Sequence, residues 1–208
     1  YVEFIRREFS KEKWDFIIVA DLDGVNSGLR SKAIRSNFET LANWDAIFPN
    51  QRFGYYDLLA LRCDNWLNHD FYSELSKKMN DARITRQSAE NSFREWNRAD
   101  RIRKQVIYDR MKRIKVTENP FHVHSAFGGI AIYKPELFKI SNYDLIDGSS
   151  GNECEHVSFH LKCERAGKNL LLNPAFVNAR FTPYNINRMK IVRLFRFLRM
   201  RINRKINF

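Results

Sequence analysis

Apolar positions change their period several times along the chain. From Tyr1 to Lys13 they recur as Val2, Ile5 and Phe9 among charged residues, the spacing of an amphipathic helix. Phe16-Ile17-Ile18-Val19 is then four apolar residues in a row, which predicts a strand buried on both faces, as inside a parallel sheet. That strand ends in Asp21-Leu22-Asp23, and Gly24 lets the chain turn sharply. Residues 31–42 return to helical spacing, with Ser31 as a cap and Ile34, Phe38 and Leu41 on one face. Trp44 to Phe48 reads as a short strand closed by Pro49-Asn50, and Gly54 to Arg62 as a second apolar strand.

The pattern shifts at residues 66–115, which are polar and contain neither Gly nor Pro. They predict two or three exposed helices, an insertion on one side of a sheet. His122 to Tyr133 regains strand character, with Gly128-Gly129 at its start. Asp147 to Gly151 is a loop, Glu153 to Ala166 a helix with Gly167 as its C-cap, and Leu170–Leu172 and Ala175–Val177 are short strands around Asn173-Pro174. Alternating helices and strands of this kind predict an α/β layered fold. In such a sheet, ligands bind outside the carboxyl ends of strands, where Asp21 and Asp23 fall. Asn185 to Phe208 closes the chain as a helix with Met189, Val192, Phe195, Leu198 and Ile202 at helical spacing.

Charge sharpens the picture. The net charge is +12, and it is uneven: residues 185–208 carry eight basic residues and no acidic one. Residues 77–115 carry thirteen basic and five acidic, so the remainder, which includes the Asp-x-Asp, is slightly acidic. A positive protein seeks phosphates, nucleic acid or anionic lipid. The basic amphipathic tail fits the surface of an anionic membrane, or else a packed helix with a solvated basic face. Hydrophobic residues make up 44%, enough for a packed core rather than a disordered chain, yet no apolar run is long enough to span a membrane. Cys63, Cys154 and Cys163 have neither disulfide nor zinc spacing, which points to reduced thiols on a cytosolic face. The chain opens without Met on what reads as the middle of a helix, so a preceding segment is expected.

Several constellations can carry chemistry. Asp21 and Asp23 offer hard oxygen ligands to a divalent cation, or are turn residues at a strand end. Glu153, Glu155 and His156 begin a helix, where the macrodipole favours carboxylates. Taken alone, both acids can be ordinary first-turn residues. His156 and His160 share a helix face and are either metal ligands or core residues. If one of them acts, it is His156, on a metal or a phosphate. Tyr55, Tyr56 and Asp57 can contact a ligand, and Arg62 can pair with a phosphate or with Asp57. Gly128-Gly129 permits close approach of backbone to a ligand, or a simple bulge. His122 and His124 share one face of a strand, from which one can reach a metal site.

Taken in order, Asp21-Leu22-Asp23, Tyr55-Tyr56-Asp57 to Arg62, Ala126-Phe127-Gly128-Gly129 to Tyr133 and Glu153-Cys154-Glu155-His156 resemble nucleotide-sugar-dependent glycosyltransferases of the GT-A fold. They look most like enzymes that build capsule, lipopolysaccharide or related surface glycans. The resemblance covers roughly residues 1–180. It implies a Rossmann-like mixed sheet flanked by helices, with the base-binding strands preceding residue 1. It gives a catalytic domain over 1–184, a helical insertion at about 66–115 and a separate basic helix at 185–208.

The resemblance also implies Mn²⁺ or Mg²⁺ on Asp23, with Asp21 and His156 as further candidates. A nucleotide-diphosphate sugar would lie against Asp21, Tyr56, Asp57, Arg62, Gly128 and Gly129, and the acceptor would be a glycan or lipid-linked hydroxyl. The base would be Glu155, with Glu153 and His156 behind it. The expected location is cytoplasmic, peripheral on the inner membrane face, with no nucleic acid partner. Two other readings stay open. Asp-Leu-Asp-Gly-Val also matches the first motif of haloacid-dehalogenase-like phosphatases, with Asp21 as nucleophile, but no later acidic pair completes that set. The charge alone would also suit a nucleic-acid-binding protein.

Overall fold

The computed structural model describes residues 2–9, 13–39, 43–141 and 154–206. Leu41, the expected loop at 147–151 and Glu153 lie outside the described residues. In chain order the elements are α1 (Val2–Phe9), β1 (Ile17–Ala20), α2 (Ser31–Glu39), β2 (Ala46–Gln51), α3 (Phe71–Asp81), α4 (Arg86–Asn91), α5 (Phe93–Val106), β3 (Phe121–His122), β4 (Ile130–Tyr133), α6 (Leu137–Ile140), α7 (Glu155–Arg165), β5 (Leu170–Ala179), α8 (Pro183–Ile186) and α9 (Lys190–Ile206). They pack as two compact units, residues 1–69 with 113–181, and residues 70–112 with 182–208.

The first unit is α/β, built on an open mixed sheet in the order β1-β4-β2-β5-β3. Successive side chains of a strand face opposite ways, and the two faces bury different partners. On one face Ile47, Ile130, Ile132 and Phe176 join Trp44 and pack against Leu29, Ala33 and Ile34 at α2. On the other face Phe48 and Tyr133 meet His160 and Phe159 of α7 and Phe138 of α6, with ring centroids 4.7 to 6.1 Å apart. Helix α1 lies on that second side, where Arg6 Nε donates to the Phe138 carbonyl at 2.5 Å.

Four strand expectations change. The stretch 122–133 divides into β3 and β4, which lie apart in the sheet because the two glycines turn the chain between them. β1 is an edge strand, antiparallel to β4, and Ile18 is 51% exposed. The apolar run is real, but it covers one sheet face with Phe16 reaching back to Phe38 and Trp44 rather than filling a sheet centre. Residues 54–61 form turns, and only Arg62 makes a bridge, to Ser125. Their buried residues Tyr55, Leu58, Ala60 and Leu61 do not follow a strand's alternation. β2 and β5 both run through their prolines. The register passes from Phe48↔Leu172 to Asn50↔Val177, so Pro49 and Pro174 sit in a bulge, where a missing N–H breaks no ladder bond. Ser31 is the first helical residue of α2 and not its cap.

The second unit is helical. Residues 70–112 hold neither Gly nor Pro, and their breaks come from caps: Asp70 accepts from the Tyr72 and Ser73 amides, Thr85 forms a capping box with Ser88, and Ser92 accepts from Glu95. Arg83, at φ 55°, makes the turn between α3 and α4. Helix α9 belongs to this unit and is anchored to α5. Phe197 stacks on Trp96 at 5.0 Å, and Arg193 makes a two-pronged ion pair with buried Asp100 at 2.5 and 2.9 Å. The apolar stripe expected to be its single working face is mostly left outside: Met189, Phe195, Leu198 and Ile202 are exposed, and Phe197 is the buried anchor. No helix among the described residues is long and apolar enough to cross a membrane.

Candidate functional site

The carboxyl end of β1 and the first turn of α7 converge on a cavity of about 530 Å³, within the size range of small-molecule pockets. Its polar lining is Asp21, Glu155 and His156, and Phe127, Ile5, Ile17 and Val19 contribute apolar walls. Asp21 is raised above the ordinary carboxylate pKa, first by burial and then by the charges of Asp23, Asp57 and Glu155. Four carboxylates from distant parts of the chain therefore act on one another in one place. Asp23 is held by the turn that follows it, its Oδ1 accepting from the Val25 amide at 3.0 Å, while Leu22 between the two acids points into solvent.

Asp57 is the half-buried member of the group. Its Oδ2 accepts from the Gly128 amide at 2.8 Å and its Oδ1 from the Ala60 amide at 3.3 Å. Burial raises its pKa, and those two amides and the Arg62 charge oppose the shift. Asp57→Ala would leave two N–H groups without their acceptor, and we expect a loss of about 2–4 kcal/mol in a urea titration, with Asp57→Asn losing less.

Gly128 and Gly129 adopt φ of 68° and 93°. A Cβ on Gly128 would lie 2.5 Å from Gln51 Nε2, and one on Gly129 2.5 Å from Val25 Cγ1. The close approach that the two glycines permit is thus to the protein's own side chains. Their carbonyls are the hub of an amide network that the sequence did not disclose. Asn26 Nδ2 donates to the Asp21 and Gly129 carbonyls at 2.9 and 2.7 Å. Asn178 Nδ2 donates to Asn26 Oδ1 and the Gly128 carbonyl, both at 2.8 Å, and Gln51 Nε2 to Asn178 Oδ1 at 3.0 Å. These neutral bonds fix the end of β1 against β4 and β5, and so fix where Asp21 points. Tyr56 stands beside the hub, its hydroxyl near Gly129, while Tyr55 is fully buried and accepts from the Phe127 amide at 3.3 Å.

Glu155 is the first residue of α7, where the helix macrodipole favours a negative charge. Cys154 before it is buried, and burial pushes its thiol up to about 11, so it is no nucleophile at neutral pH. His156 stacks on Phe127 at 3.8 Å. Burial pushes its pKa down to about 4 against the opposing charge of Glu155, so it is a neutral imidazole near pH 7. A cationic contact of His156 with phosphate does not fit that state. The sign for stability follows. The folded pKa lies below the unfolded value of 6.5, so His156 supports folding above about pH 6.5, and that support is lost as pH falls towards 4. We expect up to about 3 kcal/mol over that window, and a flatter urea-midpoint profile in His156→Gln.

The remaining candidates are engaged elsewhere. His160 is fully buried between Ser125 Oγ and Tyr133 Oη, each 2.9 Å from a ring nitrogen, which leaves no nitrogen for a metal. Arg62 is buried and donates to the Leu59 and Leu61 carbonyls at 3.1 and 2.7 Å, so it supports Asp57 by charge and does not face a ligand phosphate. His122 and His124 pair with Glu164, and His124 also with Asp64. Compared with protein-family models, curated proteins and solved structures, the chain has no significant match.

Proposed function

We propose that this chain is a metal-dependent glycosyltransferase of the GT-A type, transferring a sugar from a nucleotide-diphosphate sugar to a hydroxyl of a glycan or lipid-linked acceptor in surface polysaccharide synthesis. The observation that carries the proposal is the convergence of Asp21, Asp23, Asp57 and Glu155 beside one cavity, where burial and then the like charges raise Asp21. Hard carboxylate oxygens in mutual repulsion fit Mn²⁺ or Mg²⁺. Asp23 and Asp21 would hold the ion, with neutral His156 as a further candidate. Such an ion supplies Lewis-acid stabilisation of the charge developing on the leaving diphosphate.

The chain's own residues would do the rest. Glu155 takes the proton of the acceptor hydroxyl as its oxygen bonds to the anomeric carbon and the bond to the diphosphate breaks. Phe127 and the ring of His156 give the sugar an apolar wall and exclude water. Asp57, held by the Gly128 amide behind the cavity lining, would order the loop around the donor. Glu153 is the second candidate base.

Helix α9 supports a location on the inner, cytoplasmic face of a membrane. Ile191, Phe195, Leu198 and Ile202 are 46 to 66% exposed on one side of a helix whose segment holds no acidic residue. Because Phe197 and Arg193 anchor the helix, the informative change is Phe195→Ser with Ile202→Ser and not deletion. It should weaken binding to vesicles containing anionic lipid and leave the fold intact.

Incubation with UDP-, GDP- and dTDP-sugars in Mn²⁺ tests the activity through release of nucleoside diphosphate, which is expected for one nucleotide class. Hydrolysis of a phosphomonoester that disappears in Asp21→Asn would replace the proposal with the phosphatase reading.

A further inference from the structure

His122, His124 and Glu164 form a second cluster that shares no residue with the carboxylate group. One ligand atom from each lies within 4.8 Å of the others. His122 and His124 flank Val123, which is fully buried, so the two imidazoles emerge on the same outer side at the end of β3. Their rings meet edge-on, at 82° and 5.3 Å, and do not stack face to face. His122 Nε2 is 3.5 Å from Glu164 Oε1, and His124 Nδ1 faces the same oxygen. Two ligands on a tetrahedral ion bound at about 2.0–2.1 Å lie about 3.3 Å apart, so the set needs only small side-chain adjustments.

Two further features point to a cation. Glu164 sits in the last turn of α7, where the macrodipole disfavours a carboxylate and a nearby cation offsets the cost. Asp64 Oδ1 is 2.9 Å from His124 Nε2. With the Nε2 proton donated to Asp64, Nδ1 carries a lone pair aimed at the Glu164 oxygen. A carboxylate behind a ligating histidine is the usual outer partner of a zinc-bound imidazole. Either a second proton or a metal ion must lie between Nδ1 and the carboxylate.

We propose that His122, His124 and Glu164 bind a zinc-class divalent ion, with Asp64 orienting His124 and a fourth position open to water. Two imidazoles and one carboxylate select Zn²⁺ or Co²⁺ over Mg²⁺, the reverse of the carboxylate site proposed at Asp21 and Asp23. The ion would clamp β3 to the carboxyl end of α7, the helix that begins at Glu155.

Co²⁺ titration of the full chain in excess Mg²⁺, which occupies hard-oxygen sites, reads this directly. One equivalent of Co²⁺ should develop visible ligand-field absorption, and Zn²⁺ should abolish it. His122→Gln, at a half-exposed position, should weaken binding at least about 10-fold, and Asp64→Asn by about 10- to 100-fold. X-ray absorption of the Zn²⁺-loaded wild type should show two imidazoles and oxygen in the first shell, a result that depends on no variant. Absence of the absorption band, or an affinity unchanged in His122→Gln, would overturn the site and leave a protonated His124 between two carboxylates.

Discussion

Glu155→Gln is expected to lower sugar transfer about 10²- to 10⁴-fold, the range that removal of a general base produces, while metal and donor binding survive. The amide keeps the size and the hydrogen-bonding oxygen of the acid but cannot accept the acceptor's proton. Glu155 opens α7 and lines the cavity shared with Asp21, so the substitution touches the reacting region without cutting a core contact. It also removes one of the charges that raise Asp21, so Mn²⁺ affinity should fall modestly. A steady-state assay that varies the donor separates the two effects: kcat should collapse and the KM for donor should move little. Equal losses in Glu155→Gln and in metal binding would make Glu155 a ligand and shift the base to Glu153.

Asp100→Ala is expected to destabilise the helical unit by about 3–5 kcal/mol. Arg193 and Asp100 are both buried, and Arg193 also donates to the Asn187 and Arg188 carbonyls, each at 2.7 Å, and lies 4.4 Å over the ring of Tyr108. Removing the carboxylate strands a largely buried guanidinium with only its two carbonyl acceptors and the Tyr108 ring. Replacing the pair together, Asp100→Leu with Arg193→Met, should recover most of the loss, because the desolvation cost disappears along with the attraction. Thermal unfolding by circular dichroism measures both. A small effect of Asp100→Ala would mean that α9 is not held by this pair, and the exposure of its outer stripe would need another explanation.

What the sequence disclosed, and what it hid, divides along the range of the interactions. Local signals survived folding. The Gly- and Pro-free stretch became α3, α4 and α5, the basic tail became α9, and Gly167 takes φ 75° just past the end of α7. Pairing direction is not written in an apolar run, so Phe16 to Val19 could not announce an edge strand antiparallel to β4. Pro49 and Pro174 read as strand ends because each is a breaker alone. Only their placement opposite one another in a bulge keeps both strands whole. Helix α9 is apolar on more than one side, and the choice of Phe197 over Phe195 as anchor was made by Trp96, about a hundred residues earlier in the chain.

The candidate site shows the same split. Asp21 and Asp23 were legible because they stand together at a strand end, and Glu155 because it opens a helix. Asp57 was visible only as part of a supposed strand, and its attachment to the Gly128 amide spans 71 positions. The amides Asn26, Gln51 and Asn178 carry no spacing signal at all, since their geometry exists only once β1, β2, β4 and β5 are assembled. Glu164 belongs to no sequence motif, because it meets His122 and His124, 42 and 40 positions away by the numbering, only in the fold.

The most direct test of the central claim is thermal stability of the full chain with Mn²⁺ and one sugar nucleotide at a time, in the wild type and in Asp21→Asn and Asp23→Asn. The account predicts an upward shift in melting temperature with one nucleotide class, dependent on Mn²⁺ and absent from both variants. Without metal, Asp21→Asn should itself melt slightly higher than the wild type, because it relieves the repulsion among Asp21, Asp23, Asp57 and Glu155. A wild type whose melting temperature responds to no metal–nucleotide pair, or whose response persists in both variants, would contradict it.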